Sequence, residues 1–197
     1  MTRTRPPFDA VTMCLHWLTL ALIALLFTTA WLHENAEGGA NAAALLQLHR
    51  SLGIIVWVVS VARLVWRHTG AYLPPFPVHM RRLHRAIAKT SEYMLYALLL
   101  VQPLTGIGQT LLRGRGFDIF FVHLDAVASR NSGLAHFFHD MHETGATIFL
   151  LLIGLHASAA IVHHVYWRDG VLRSMLPQFR GSWSKRTNAT PREEPGA

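Results

Sequence analysis

The chain alternates between four long apolar blocks and shorter polar or proline-containing segments. The blocks cover residues 14–32, 48–66, 91–112 and 144–167, each close to the roughly 20 residues with which a helix crosses a hydrocarbon core. A soluble bundle would keep a polar face on every helix, whereas residues 98–101 and 148–153 are apolar on all sides. The pattern therefore predicts an all-α integral membrane protein with four transmembrane helices. Residues 8–177 form its single domain.

The connections between the blocks differ in character. Residues 67–79 include Pro74, Pro75 and Pro77, which cannot continue a helix. The connection over residues 113–140 mixes Gly, Asp, His and aromatic residues, and we expect a short surface helix around residues 126–139. Residues 178–197 are polar and contain Pro and Gly, so they are predicted to form a mobile cytoplasmic tail.

Basic residues are distributed unevenly about the predicted membrane. Of the 18 Lys and Arg, 14 fall on one side: Arg3, Arg5, Arg63, Arg67, Arg81, Arg82, Arg85, Lys89, Arg168, Arg173, Arg180, Lys185, Arg186 and Arg192. The positive-inside rule places this side, with both termini, in the cytoplasm. Membrane orientation accounts for the net charge of +7 better than nucleic-acid binding does, because the basic residues cluster beside helix ends.

Four histidines lie within or directly beside the apolar blocks, and ionisable groups inside a membrane usually have a partner or a task. They are His16, His49, His142 and His156. His142 and His156 are 14 residues apart on the fourth helix, which corresponds to about 21 Å along the axis and about 40° around it. One helix thus presents two imidazoles on one face at two depths.

The predicted topology matches these depths in pairs. His49 lies with His142 near the outer face (the outer pair), and His16 lies with His156 nearer the cytoplasm (the inner pair). Two imidazoles at one level suit the axial positions of a haem iron, and this ligation favours electron transfer over oxygen binding. The chain has one cysteine and no C-x-x-C-H sequence, so two non-covalent b-type haems are predicted. A single zinc site is excluded by the separation of the pairs, although a haem-free metal transporter remains an alternative.

Small residues near the histidines agree with a bound macrocycle. Gly53, Gly145 and Gly154 lie close to the proposed ligands in sequence. They would admit a flat ring against the backbone, or equally serve helix packing.

The ordered motifs resemble the bacterial cytochrome b561 family. They are His16-Trp17, Leu48-His49, Met141-His142-Glu143-Thr144, Gly154-Leu155-His156-Ala157, His163-His164 and Trp167-Arg168-Asp169. The resemblance covers nearly all of residues 8–177. It implies a bacterial inner-membrane protein with two b haems on the four histidines and electron exchange with the quinone pool.

One branch of the family, the superoxide oxidases, takes electrons from superoxide outside and passes them to ubiquinone. The resemblance therefore favours a superoxide:ubiquinone oxidoreductase, with superoxide or another periplasmic donor as partner. The alternative is a non-enzymatic membrane anchor that conducts electrons between a dehydrogenase or hydrogenase subunit and the quinone pool.

Two polar groups are candidates for the ends of this electron path. The quinone candidates are His163, His164, Trp167, Arg81, Arg82 and His84, for which an interfacial belt is the competing interpretation. On the outer side, a small anion could be attracted by Arg113, Arg115, Arg130, His123, His136 and His139. Asp118, Asp125 and Asp140 oppose that field, so a solvated loop of mixed charge is the default there.

Overall fold

The computed structural model describes residues 7–77 and 80–176. Its helices are α1 (Ala10–Glu34), α2 (Gly39–Thr69), α3 (Arg82–Leu112), α4 (Ser132–Val162) and α5 (Val171–Ser174). A π-helix, His163–Trp167, continues α4 directly. Four helices are long and apolar enough to cross a membrane, α4 being counted together with the π-helix. The predicted four-helix membrane bundle is confirmed, while the predicted tail lies outside the described residues.

The helices extend beyond the apolar blocks at their polar ends. α2 begins at Gly39 and α3 at Arg82, nine residues before each predicted block. α4 begins at Ser132, where the Asn131 side chain accepts a hydrogen bond from the Leu134 backbone N–H at 3.1 Å. The separate surface helix around residues 126–139 was therefore a wrong prediction, because this N-cap starts one continuous helix that runs into the membrane.

A small β-hairpin joins α3 to α4. Strands β1 (Phe117–Ile119) and β2 (Val122–Leu124) pair antiparallel, a feature that the sequence pattern did not predict. The backbone N–H of Phe120 in its turn donates to the Ser51 hydroxyl of α2 at 2.8 Å. A hydrogen bond with Asp118 raises the pKa of His123 in β2. The hairpin thus lies on the end of α2, and we call this side of the molecule the hairpin end.

The core takes one residue from each long helix. Leu22, Val56, Leu99 and Phe149 are buried together at mid-bundle. Close packing joins α1 to α2, α2 to α3, and α3 to α4. Buried hydroxyls on the same helices bond to their own backbone, as Ser60 does to the carbonyl of Val56 at 2.6 Å, so they need no water inside the bundle.

At the opposite side of the bundle, which we call the basic end, hydrogen bonds link the first and last segments that the structure describes. The Phe8 backbone N–H donates to the Ser174 carbonyl at 3.0 Å, and Trp17 Nε1 donates to the Met175 carbonyl at 2.9 Å. Asp9 caps α1 by accepting from the Thr12 backbone N–H at 2.9 Å. Its carboxylate also accepts from Trp66 Nε1 of α2 and from the Tyr72 backbone N–H, each at 3.1 Å.

Replacing Asp9 by Ala should therefore lower the free energy of unfolding by about 1–2 kcal/mol, since a helix cap is lost together with links to α2.

Burial raises the pKa of the Asp9 carboxyl, but hydrogen bonds from Thr12, Trp66 and Tyr72 outweigh this effect and lower the pKa from 3.8 to about 2. The carboxylate therefore stabilises the fold above about pH 4, and this contribution is lost as the pH falls towards 2. Thermal unfolding in detergent at pH 7 and pH 3 measures both effects. An equal difference between wild type and D9A at the two pH values would contradict the linkage.

Candidate functional site

The outer pair of histidines meets across the bundle. The imidazole rings of His49 in α2 and His142 in α4 have centroids 6.2 Å apart and planes at 86°. A metal–imidazole bond is about 2 Å long, so two such bonds and two half-rings span about the observed separation. The pair offers two imidazole ligands to one metal ion, which is the protein donor set of a bis-histidine haem.

Hydrogen bonds orient both rings of the outer pair. His49 Nδ1 lies 3.1 Å from the backbone carbonyl of Leu26, and His142 Nδ1 lies 3.0 Å from that of Gln102. A carbonyl oxygen only accepts, so each Nδ1 carries the proton and donates it. The lone pair of each neutral ring is then on Nε2. This second contact is the one that fixes the tautomer of metal-binding histidines.

Glycines and a glutamine shape the surroundings of His142. A Cβ at Gly106 would lie 3.2 Å from the ring, so α3 comes close to the imidazole because it has no side chain there. Gly145 packs on Gln102, where a Cβ would lie only 2.7 Å from the amide nitrogen. For Gly145 the structure thus favours helix packing over contact with a macrocycle. Gly53 and Gly154 differ, since a Cβ on either would have no atom within 4 Å, and both leave space beside the backbone.

The inner pair has a different environment. His16 in α1 and His156 in α4 interact electrostatically with each other, and each also interacts with Arg63 of α2. Arg63 Nη2 donates to His16 Nδ1 at 3.0 Å. Its guanidinium also lies over the Tyr96 ring, 5.2 Å from the centroid. From the sequence, Arg63 was expected only to contribute to the charge asymmetry across the membrane, because its proximity to His16 depends on tertiary packing.

Three buried side-chain donors have no acceptor among the described residues: Trp57 Nε1 and Arg63 Nε on α2, and Arg85 Nε on α3. Buried N–H groups are rarely left unpaired in folded proteins. The carboxylates of haem are suitable acceptors for such groups, so the residues present fit a bound haem in donor set, space and unpaired donors.

A second cluster lies at the basic end, where the π-helix ends. His163 is buried, and its Nδ1 forms a short hydrogen bond with the carboxylate of Asp169. The Trp167 ring packs edge-on against His163 with centroids 4.4 Å apart, and His84 of α3 stacks on Trp167 at 5.7 Å. Three of the six quinone candidates are therefore brought together, and Asp169 joins them. Arg168 has a φ of 50°, and this left-handed residue ends the helix and turns the chain back towards His163.

The other three quinone candidates lie outside this cluster. Arg81 and Arg82 are exposed at the start of α3, one turn or less from His84. His164 is half-buried and makes no hydrogen bond or ring contact with the cluster in the described part of the chain. The structure thus separates a compact group of His, Trp and Asp from flanking basic residues.

At the hairpin end, basic side chains line a cleft between the end of α3 and the start of α4. Its volume is about 400 Å³, and it is lined by Leu112, Arg113, Arg115, Arg130, Ser132, Ala135, His136 and His139. His123 is absent from this lining and pairs with Asp118 at 2.7 Å instead. His139 lies three residues from His142 on α4. The cleft therefore lies at the same end of the bundle as the outer pair, and no carboxylate is among its lining residues.

Comparisons with known proteins agree with this arrangement. A family model described as prokaryotic cytochrome b561 matches residues 7–178. Cytochrome b561 homolog 1 of Escherichia coli (strain K12) is 29% identical over 175 residues, which cover 87% of this chain and 97% of the relative. A probable superoxide oxidase, CybB, of Yersinia pestis is 27% identical over 179 residues, covering 88% and 98% respectively. Cytochrome b561 homolog 2 of Escherichia coli is 24% identical over 187 residues, covering 89% and 94%.

Proposed function

The chain belongs to the prokaryotic cytochrome b561 family, and from this premise we propose that it is a superoxide:ubiquinone oxidoreductase with two b-type haems. As a family member it is a multi-pass protein of the bacterial inner membrane that binds haem b and transfers electrons. The proposal adds the number of haems, their ligands, the donor and the acceptor. The observation that carries it is the pair of facing imidazoles, His49 and His142, at the separation that one metal ion requires.

In this proposal His49 and His142 hold the outer haem, and His16 and His156 hold the inner haem. When bound, each haem would supply a one-electron carrier held by two imidazoles. The contribution of the chain is to orient these rings. The carbonyls of Leu26 and Gln102 hold the outer pair in the Nδ1–H tautomer, which leaves the lone pair of each ring on Nε2 for a metal ion.

The basic cleft supports an anionic donor at the hairpin end. Three arginines and two histidines converge there, and a cleft lined by one sign of charge raises the local concentration and association rate of a small ion of opposite charge. Superoxide is such an anion, and the relative from Yersinia pestis is called a probable superoxide oxidase. A superoxide ion held there would give up one electron to the outer haem and leave as dioxygen.

The cluster at the basic end supports quinone reduction there. Ubiquinone takes up two electrons, from two superoxide ions, and two protons to become ubiquinol. His163 can donate a hydrogen bond or a proton to a quinone oxygen, and Asp169 orients its ring through Nδ1. Trp167 and His84 add stacked aromatic surface for the quinone ring.

The hairpin tip favours a second candidate, an electron conduit for a partner redox subunit. Phe121 is fully exposed, and Phe120 and Val122 beside it are also exposed. Exposed apolar residues at the hairpin end are what a periplasmic dehydrogenase or hydrogenase subunit would cover. Purified protein separates the candidates, since haem reduction by superoxide without any other subunit supports the oxidoreductase and dependence on a co-purified partner supports the conduit.

Removing positive charge from the cleft tests whether an anionic electron donor binds there. The double variant R115Q/R130Q should slow haem reduction by superoxide about tenfold at low ionic strength, because electrostatic steering is weakened. Added salt should reduce the difference in rate between the double variant and wild type, because it screens the charges of the cleft. Arg173→Gln is the matched control, since Arg173 is an exposed basic residue at the basic end. Stopped-flow measurement of the second-order rate decides. Equal rates for the double variant and wild type at low salt would rule out the cleft as the entry point.

A further inference from the structure

The two histidine pairs differ in what lies beside their Nδ1 atoms. Both rings of the outer pair donate Nδ1–H to backbone carbonyls, those of Leu26 and Gln102. In the inner pair, His16 Nδ1 faces the guanidinium of Arg63. The ring of His156 makes no hydrogen bond within the described part of the chain. One pair therefore faces electron-rich oxygen, and the other faces a cation.

The carbonyl contacts lower the reduction potential at the outer level. An imidazole that donates Nδ1–H to a carbonyl becomes a more basic ligand through Nε2. A more basic ligand stabilises the oxidised iron, which carries one more positive charge than the reduced iron. The outer haem is thereby made easier to oxidise.

Arg63 acts in the opposite direction at the inner level. A fixed positive charge disfavours the more positive, oxidised iron, and the effect is larger inside the membrane than in water. The carboxylate of Glu92 also interacts with Arg63 and His156, but Arg67 binds both of its oxygens at 2.6 and 3.1 Å and offsets its charge. The net charge beside the inner pair is therefore positive.

The bond between Arg63 and His16 also has to rearrange when metal binds. A guanidinium has only donors, so His16 Nδ1 accepts here, and the proton of the neutral ring is on Nε2. Metal binding through Nε2 would transfer the proton to Nδ1, which then repels the guanidinium. Arg63 would turn to another acceptor, such as a haem carboxylate, while its charge stays beside the inner site. Its buried and unpaired Nε is already available for that contact.

We propose that Arg63 is a positioning residue that holds the inner haem at a higher reduction potential than the outer haem. Electrons that enter at the hairpin end then move to the basic end in the favourable direction. This inference rests on the proposed pair of haems.

Redox titration of the purified holoprotein, followed by absorbance, tests the proposal. Arg63→Met and Arg63→Gln remove the charge, Arg63→Lys keeps it, and Lys89→Met is the control. Lys89 is an exposed cation on α3, where water screens its charge. The Met and Gln variants should lower the midpoint potential of the inner haem by at least about 59 mV. For one electron, this corresponds to a tenfold change in the equilibrium constant for electron transfer between the haems. The Lys variant should stay near wild type.

The outcomes are separable. If the midpoint potential of the inner haem were the same in R63K as in R63M and R63Q, the proposed role of Arg63 would be wrong. An equal shift in the midpoint potentials of both haems would also contradict it. If R63M lost the inner haem, the comparison between R63Q and R63K would still decide. Absence of two low-spin haems in the wild type would instead overturn the proposed function. Loss of activity with superoxide while the potential shift persists would leave the role of Arg63 intact.

Discussion

Replacing His142 by Ala should remove the outer haem and about half of the haem absorbance, while the inner haem keeps its spectrum. His49→Ala should have the same result, because each variant removes one of the two facing imidazoles. Conversely, His16→Ala or His156→Ala should remove the inner haem. Quantification of haem per protein and low-temperature absorbance spectra measure the loss. The loss of haem should be nearly complete at that site, since an iron with one protein ligand is poorly retained in a non-covalent site.

His33→Ala is the matched control for the outer variants. His33 also lies at the hairpin end and also uses Nδ1 to contact a backbone carbonyl, that of Ala42 at 2.9 Å. It should lose no haem. If H49A and H142A affected different haems, the proposed pairing would be wrong. Thermal unfolding must accompany the spectra, because loss of a ligand lowers apparent stability by itself.

Replacing His163 by Ala should slow the oxidation of reduced haem by ubiquinone about 100-fold, because a positioned acid or hydrogen-bond donor contributes about this much. Haem content and reduction from the hairpin end should stay close to wild type, since no proposed iron ligand is removed. Asp169→Asn should give a smaller loss in the same step, because it weakens the group that orients His163. Stopped-flow traces of haem oxidation by a soluble quinone measure both variants.

His164→Ala is the control for this experiment, because it removes the adjacent imidazole, which lies outside the cluster. Unchanged quinone oxidation in H163A would reduce His163 to a structural residue at the end of the π-helix. Loss of the inner haem in H163A would show that it supports His156, which lies seven residues earlier on the same helix.

The sequence predicted those features that depend on composition over long stretches. Four helices followed from four apolar blocks, and the meeting of His49 with His142 followed from helix direction and the rise per residue. The cluster of His163, Trp167 and His84 was predicted as part of a larger set, because these residues lie at one end of their helices. Spacing on a helix and depth in a membrane are both linear measures, so they can be read from sequence positions.

Features that depend on lateral packing could not be predicted in this way. Arg63 and His16 are 47 positions apart, and their contact depends on how α1 and α2 rotate against each other. The strands of the hairpin have three residues each, too few to show an alternating pattern. The start of α4 was misplaced because polar residues in its first turns resemble a loop until Asn131 is recognised as the cap.

The contact between Phe8 and Ser174 makes the path of the backbone almost a closed ring. The order in which the four helices occur along the chain is then separable from the way they pack, because the first and last parts of the chain that the structure describes are neighbours. A chain reopened between β2 and α4, with the segments near Phe8 and Ser174 joined, would keep every helix beside its present neighbours. Only the sequence of insertion into the bilayer would change, so such a permuted chain would distinguish what the finished bundle requires from what its assembly requires.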